Sequence, residues 1–116
     1  AGDMVTPTAT VTVGTPEGES KTVTSKGTGP VDAVCKAIDQ IVDQSCNLTE
    51  FAVASVTDGI DAIGEVTIRV EDSNGHIYAG RGGDTDIIVA SAKAYINAIN
   101  RMSVLGPDQT ELTFSE

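Results

Sequence analysis

The stretch GRGGDTDIIVASAKAY, residues 80–95, sets three glycines and a run of capping residues between a strand-like segment and an alanine-rich helix. KGTGPVDAVCKA, residues 26–37, has the same order: a β-branched lead-in, a glycine corner, then a helix. Lys36-Ala37 falls opposite Lys93-Ala94, and Gly27 falls opposite Gly82 once two residues are inserted. Upstream of each corner lies a hairpin. TATVTV (8–13) and KTVTS (21–25) are β-branched partners around GTPEGES, whose Pro and Gly suit a loop. EVTIRVE (65–71) and HIYAG (76–80) are joined through Asn74-Gly75, a strong hairpin dipeptide.

The unit strand–hairpin–strand–helix therefore occurs twice, at 8–43 and 65–102. Each copy is too short to bury its own apolar face, so the two must pack together. The expected fold class is α+β: two repeated β-rich modules each ending in a helix, with antiparallel sheet covered by two helices. In the first helix Val31, Val34, Cys35, Ile38, Ile41 and Val42 recur at helical spacing, Pro30 suits the first turn, and the end is expected near Gln44. SCNLTE then reads as a loop, FAVASVT (51–57) as a third strand and DGIDAIG (58–64) as turns. The second helix is expected from Thr85 to Met102. Its buried stripe is Ile88, Ala92, Tyr95, Ile99 and Met102, with Ile87, Ala94 and Ala98 beside it.

This gives one domain, 8–102, flanked by a linker or expression scar at 1–7 and an acidic C-terminal tail at 103–116. Forty per cent apolar residues argue against disorder; with 3% aromatics and no tryptophan, the core must come from Val, Ile, Ala and Leu. Seventeen acidic against seven basic residues give a net charge of −10, which opposes nucleic-acid binding. No stretch approaches the ~18 apolar residues of a membrane span, and no signal-peptide pattern opens the chain, so a cytoplasmic protein without membrane contact is expected. Cys35 and Cys46 are too few and too far apart for a metal site or disulfide framework.

Catalytic sets are missing from the sequence. His76, the only histidine, sits at a hairpin tip, where a solvated side chain is the simpler reading. Asp58, Asp61 and Glu65 surround Gly59 and Gly64 and read as turn formers, their spacing being unlike an EF-hand. The glycine corners GTGP and GRGGDT each precede a helix N-terminus, where free N–H groups favour anions. Neither matches a P-loop, and Asp84 and Asp86 would repel phosphate while capping the helix. A small amino acid fits better. Its carboxylate would meet the helix terminus, its ammonium the aspartates, and its side chain the aliphatics.

KGTGPVDAVCKAID (26–39), DGIDAIGEVTI (58–68) and GRGGDTDIIVASAKAYINAIN (80–100) together resemble the C-terminal regulatory domain of the 2-isopropylmalate synthases. The resemblance spans about residues 8–102, with three motifs in order. It implies an allosteric domain that forms a homodimer and binds L-leucine as a feedback inhibitor of a catalytic TIM barrel. That barrel is implied to condense acetyl-CoA with 2-oxoisovalerate, using a divalent metal held by an H-x-H motif and an Asp. None of those motifs occurs here, so no cofactor and no catalysis are expected of this chain by itself.

By the same resemblance the effector site includes Gly80 and Gly82 and the start of the following helix, extended to Asp84, Thr85, Asp86, Ile87 and Ser91. The repeat adds Ala37, Ile38 and Ile41 of the first helix. Citramalate synthases carry a similar domain that responds to isoleucine. A purely structural dimerisation domain, its glycine corner only turning the chain, is the alternative of a different class.

Overall fold

The computed structural model describes residues 6–14, 18–42, 46–55, 62–104 and 113–115. The chain runs β1 (Thr8–Gly14), β2 (Ser20–Lys26), α1 (Pro30–Val42), β3 (Asn47–Ser55), β4 (Gly64–Glu71), β5 (Ile77–Asp84), α2 (Ile87–Val104) and β6 (Thr113–Ser115). The α+β class and the duplicated unit are both present: β1–β2–α1 is echoed by β4–β5–α2. The strands form two antiparallel sheets, ordered β2-β1-β6 and β3-β4-β5. Thr113–Ser115, within the stretch expected to be an acidic C-terminal tail, pairs along β1. Asp58 and Asp61 lie outside the described residues.

Each central strand carries the core of its module. β-Branched residues at alternate positions put Val11 and Val13 of β1 under α1, and Val66, Ile68 and Val70 of β4 under α2, all essentially inaccessible to water. The modules meet through α1 against α2, so the buried set is continuous across the repeat. The second hairpin is closed by Asp72, whose Oδ1 accepts the N–H groups of Asn74 and His76, both at 2.9 Å. Gly75 takes the left-handed φ of +84° that its tip needs.

The glycine-rich segment is where sequence and structure part most. GRGGD is not a corner but the second half of β5, in register with β4: Gly80 opposite Ile68, Gly82 opposite Val66 and Asp84 opposite Gly64. Residues opposite one another share a face, so Gly80 and Gly82 lie on the side covered by α2. A Cβ on Gly80 would stand 2.9 Å from Ala98 Cα and closer still to the Ala94 carbonyl oxygen. One on Gly82 would stand 2.6 Å from Lys93 Cβ and 2.7 Å from Ala94 N. The glycines let the helix backbone settle directly on the strand, and α2 turns its smallest side chains, Ala90, Ala94 and Ala98, toward them. Ile88, expected in the buried stripe, is 38% exposed, whereas Ile96 is 2% exposed.

Candidate functional site

The residues expected to bind an effector at the start of α2 are largely committed to their own chain. Asp84 Oδ1 accepts the N–H of Asp86 at 2.9 Å, and Asp84 Oδ2 pairs with Lys93 Nζ at 3.0 Å. The Asp86 amide and Lys93 hold the Asp84 carboxyl below the usual carboxylate range. Asp86 is the N-cap, its Oδ1 accepting the N–H of Ile88 at 2.8 Å. Thr85 Oγ1 lies 3.4 Å from Asp84 Oδ1. Ser91 is fully buried, and its hydroxyl donates to the Ile87 carbonyl one turn back, at 2.7 Å. The Ile87 side chain packs where Gly64 leaves room for it, since a Cβ there would strike it.

The three α1 positions are core. Ala37 and Ile38 are inaccessible, and Ile41 is 7% exposed. The structure thus gives Gly80 and Gly82 a packing role and the two aspartates a capping role. It brings Ala37, Ile38 and Ile41 into the buried, sheet-facing side of α1.

The opposite side of α1 does open on a cavity. Val31, Asp32, Cys35, Lys36 and Asp39 recur at helical spacing and line a groove of about 360 Å³. The facing wall is Leu48 and Phe51 of β3, with Cys46 at the strand's entrance and Tyr95 of α2 at the floor. Leu48 and Phe51 stand three residues apart, a spacing that puts side chains on opposite faces of a regular strand. A β-bulge between Leu48 and Glu50 resets the register, so Leu48 opposes Val70 and Phe51 opposes Ile68 on one face. The extra residue, Thr49, bonds by its hydroxyl to the Arg69 carbonyl at 3.2 Å, and Arg69 pairs with Glu50. From sequence Leu48 reads as loop; the odd apolar spacing Leu48-x-x-Phe51-x-Val53 is the signal that marks a bulged strand.

The groove is apolar at its walls and polar along α1. Asp32 accepts the Thr28 N–H at 2.8 Å, closing the α1 N-terminus, and pairs with Lys36 at 3.1 Å. Tyr95, 2% exposed, donates its hydroxyl to Asp39 Oδ1 at 2.5 Å, and Cys46 Sγ lies 3.5 Å from the Tyr95 hydroxyl oxygen. Burial raises the Asp39 carboxyl above its ordinary pKa, although the Tyr95 bond opposes the rise. Burial pushes the Cys35 thiol up to about 12 and raises that of Cys46, so both are thiols at neutral pH and unsuited to nucleophilic work. His76 is exposed at the hairpin tip, 3.5 Å from Asp72. No group of three or more His, Cys, Asp or Glu among the described residues could hold a metal ion. No helix among them is long and apolar enough to cross a membrane.

Residues 1–103 match the family described as the LeuA allosteric (dimerisation) domain. Among similar proteins, a 2-isopropylmalate synthase of Olsenella uli is 57% identical over 101 residues, covering 87% of this chain and 20% of that protein. One of Trichodesmium erythraeum is 58% identical over 101 residues, covering 87% and 18%. One of Crocosphaera subtropica is 55% identical over 115 residues, covering 99% and 21%. The chain thus spans about a fifth of the length of the curated relatives it matches.

Proposed function

The chain belongs to the family of LeuA allosteric (dimerisation) domains, and from that premise we propose that it is the effector-binding, self-associating part of a 2-isopropylmalate synthase. Its effector is L-leucine, and the groove between α1 and β3 receives it. The observation that carries this reading is the groove itself: about 360 Å³, at the small end of the range for ligand pockets, with the apolar side chains of Val31, Leu48 and Phe51 around a polar helix face. At the β5–α2 junction, α2 lies directly on Gly80 and Gly82.

The groove is also well placed for regulation. One wall belongs to α1 of the first module, the other to β3, which pairs with β4 of the second, and the floor to α2 of the second. A ligand there binds more tightly to one relative arrangement of the modules than to another, which is the requirement for shifting a conformational equilibrium. Leu48, Phe51 and Val53 stand on an edge strand, each at least 40% exposed, and continue the groove outward. A second copy covering that row would make the homodimer and seal the effector at its interface. In the whole protein, the effector would restrain an acyltransferase barrel that condenses acetyl-CoA with 2-oxoisovalerate. The relatives named as 2-isopropylmalate synthases support leucine over isoleucine.

Isothermal calorimetry of the 116-residue chain with L-leucine, L-isoleucine and L-valine tests the reading. Saturable heat with leucine is expected. A preference for isoleucine would move the chain toward citramalate synthase regulation. A folded dimer giving no heat with any of the three would leave a structural dimerisation domain.

A further inference from the structure

We propose that Asp39 accepts the α-ammonium group of the groove's ligand, that Lys36 receives its carboxylate, and that Tyr95 is the positioning residue that aims Asp39. The assignment rests on the effector reading above and specifies how the groove distinguishes a zwitterionic amino acid from any aliphatic acid of the same shape.

Asp39 is the unbalanced charge of the cavity. Its carboxylate is half-buried, faces a groove with Leu48 and Phe51 on the other side, and takes part in none of the ion pairs among the described residues. Lys36, one turn away, is paired with Asp32. One carboxylate oxygen of Asp39 holds the Tyr95 hydroxyl. An ionised carboxylate has about four lone-pair sites, so acceptor capacity remains on the groove side. Removing a carboxylate from water without a cation is unfavourable, and an ammonium ligand with three donors offsets that cost.

Tyr95 fixes the direction of the acceptor. Its ring is buried in the core between the modules, and its hydroxyl lies between Asp39 and Cys46. The hydroxyl can give its single proton to Asp39 and so hold the carboxylate in one rotamer before any ligand arrives. Lys36 supplies the opposite charge. Residues three apart on a helix stand about 5–6 Å from one another, so Lys36 and Asp39 present a cation and an anion side by side on the groove. The Lys36–Asp32 pair is largely exposed and is a weak competitor for a ligand carboxylate. The apolar wall opposite then faces the ligand's side chain.

The test is a titration of the 116-residue chain with L-leucine, with 4-methylpentanoate, which lacks the ammonium, and with 3-methylbutylamine, which lacks the carboxylate. Leucine is expected to bind roughly tenfold to a hundredfold more tightly than 4-methylpentanoate, the range for a hydrogen bond to a charged group. Asp39→Asn should abolish that preference by weakening leucine, while 4-methylpentanoate, itself an anion, is not weakened by loss of the carboxylate. Tyr95→Phe should shrink it, because the carboxylate loses the bond that aims it and that opposes the burial-driven rise of its pKa. Leucine and 4-methylpentanoate binding equally to the unmodified chain would overturn the assignment without recourse to any variant. A full preference for leucine in a folded Asp39→Asn protein would do the same. If the unmodified chain binds no aliphatic amino acid at all, the effector reading fails and this assignment falls with it, an outcome distinct from the other two.

Discussion

The Tyr95 hydroxyl on α2 donates to Asp39 Oδ1 on α1 across 2.5 Å, and this bond links the two modules at the floor of the groove. Tyr95 is nearly inaccessible, so its hydroxyl has no water to fall back on. Burial, and then Asp39, raise its pKa well above the ordinary tyrosine value, so it remains a donor throughout the physiological range. Whatever occupies the groove therefore acts on a contact shared by both halves of the repeat.

Asp39 gives stability and binding opposite dependences on pH. Its folded-state pKa is raised, mainly by burial, so the fold binds a proton there more readily than the unfolded chain does. This contribution to stability therefore falls as pH rises from the ordinary aspartate value through the raised one. Leucine affinity should run the other way, because an ammonium needs the ionised carboxylate. The charged groups facing Asp39 are Asp32 and Lys36 on its own helix, with the thiols of Cys35 and Cys46 and the Tyr95 phenol neutral at these pH values. Subtracting the pH–stability curve of Asp39→Asn from that of the unmodified chain isolates the effect. Asp32, Asp72 and Asp84, whose pKa values are lowered, contribute the reverse slope to both curves. A difference curve that rises with pH in this window would contradict the assignment.

Gly80→Ala should destabilise the fold by at least about 2 kcal/mol and lower Tm by roughly 5–15 °C. The added methyl would press on the backbone of α2 at Ala94 and Ala98, which cannot turn aside as a flexible side chain would. Gly83→Ala is the control, because its nearest neighbour would be Ile63 Cγ2 at an ordinary 3.5 Å. Thermal denaturation of the two variants checks this. Equal Tm values would mean that α2 does not lie on the strand as described.

That contrast also shows where the sequence is readable. Val66, Ile68 and Val70 alternate with polar residues, and the strand they predict is the strand observed. Gly80 to Asp84 carry little strand propensity of their own, and only the approach of α2 explains why a strand there wants no side chains. The buried stripe expected of α2 is present at Ala92, Ala94, Tyr95, Ala98 and Ile99, and it fails at Ile88 for the same reason. Apolar periodicity favours the large residues, including Ile88, while the surface to be covered is flat and accepts Ala90, Ala94 and Ala98. The groove is harder still to foresee, since it depends on a bulge that brings Leu48 onto the face of Phe51 and on a tyrosine from the other module. The second helix alone announces neither.

Both cysteines should react slowly with a neutral disulfide reagent at pH 8 in the native chain. Burial keeps Cys35 and Cys46 protonated, and the thiolate is the reactive form. Cys46, the more accessible, should react first and be slowed further by saturating leucine, because it lines the groove. Absorbance from released thiol, followed with and without leucine, measures this. Fast modification of Cys46 that leucine leaves unchanged would place the ligand elsewhere.

Phe51→Lys and Val53→Lys should weaken self-association with little effect on the fold of the single chain. Phe51 and Val53 are 40% and 51% exposed, so a charged replacement buries nothing new in the monomer. In a dimer that covers β3, the same lysines would be desolvated against apolar partners, and central aromatic contacts are commonly those that dominate interface energy. β3 is an edge strand, and lysine is the residue with which natural sheets discourage edge pairing. Sedimentation equilibrium should therefore show dissociation constants about tenfold higher or more, with circular dichroism unchanged. Because Phe51 also lines the groove whereas Val53 lies beyond it, the two variants separate the roles. Val53→Lys should lower leucine affinity only as far as it lowers dimerisation. Phe51→Lys should lower it even at concentrations where the chain remains paired. Unchanged association in both variants would move the interface off β3.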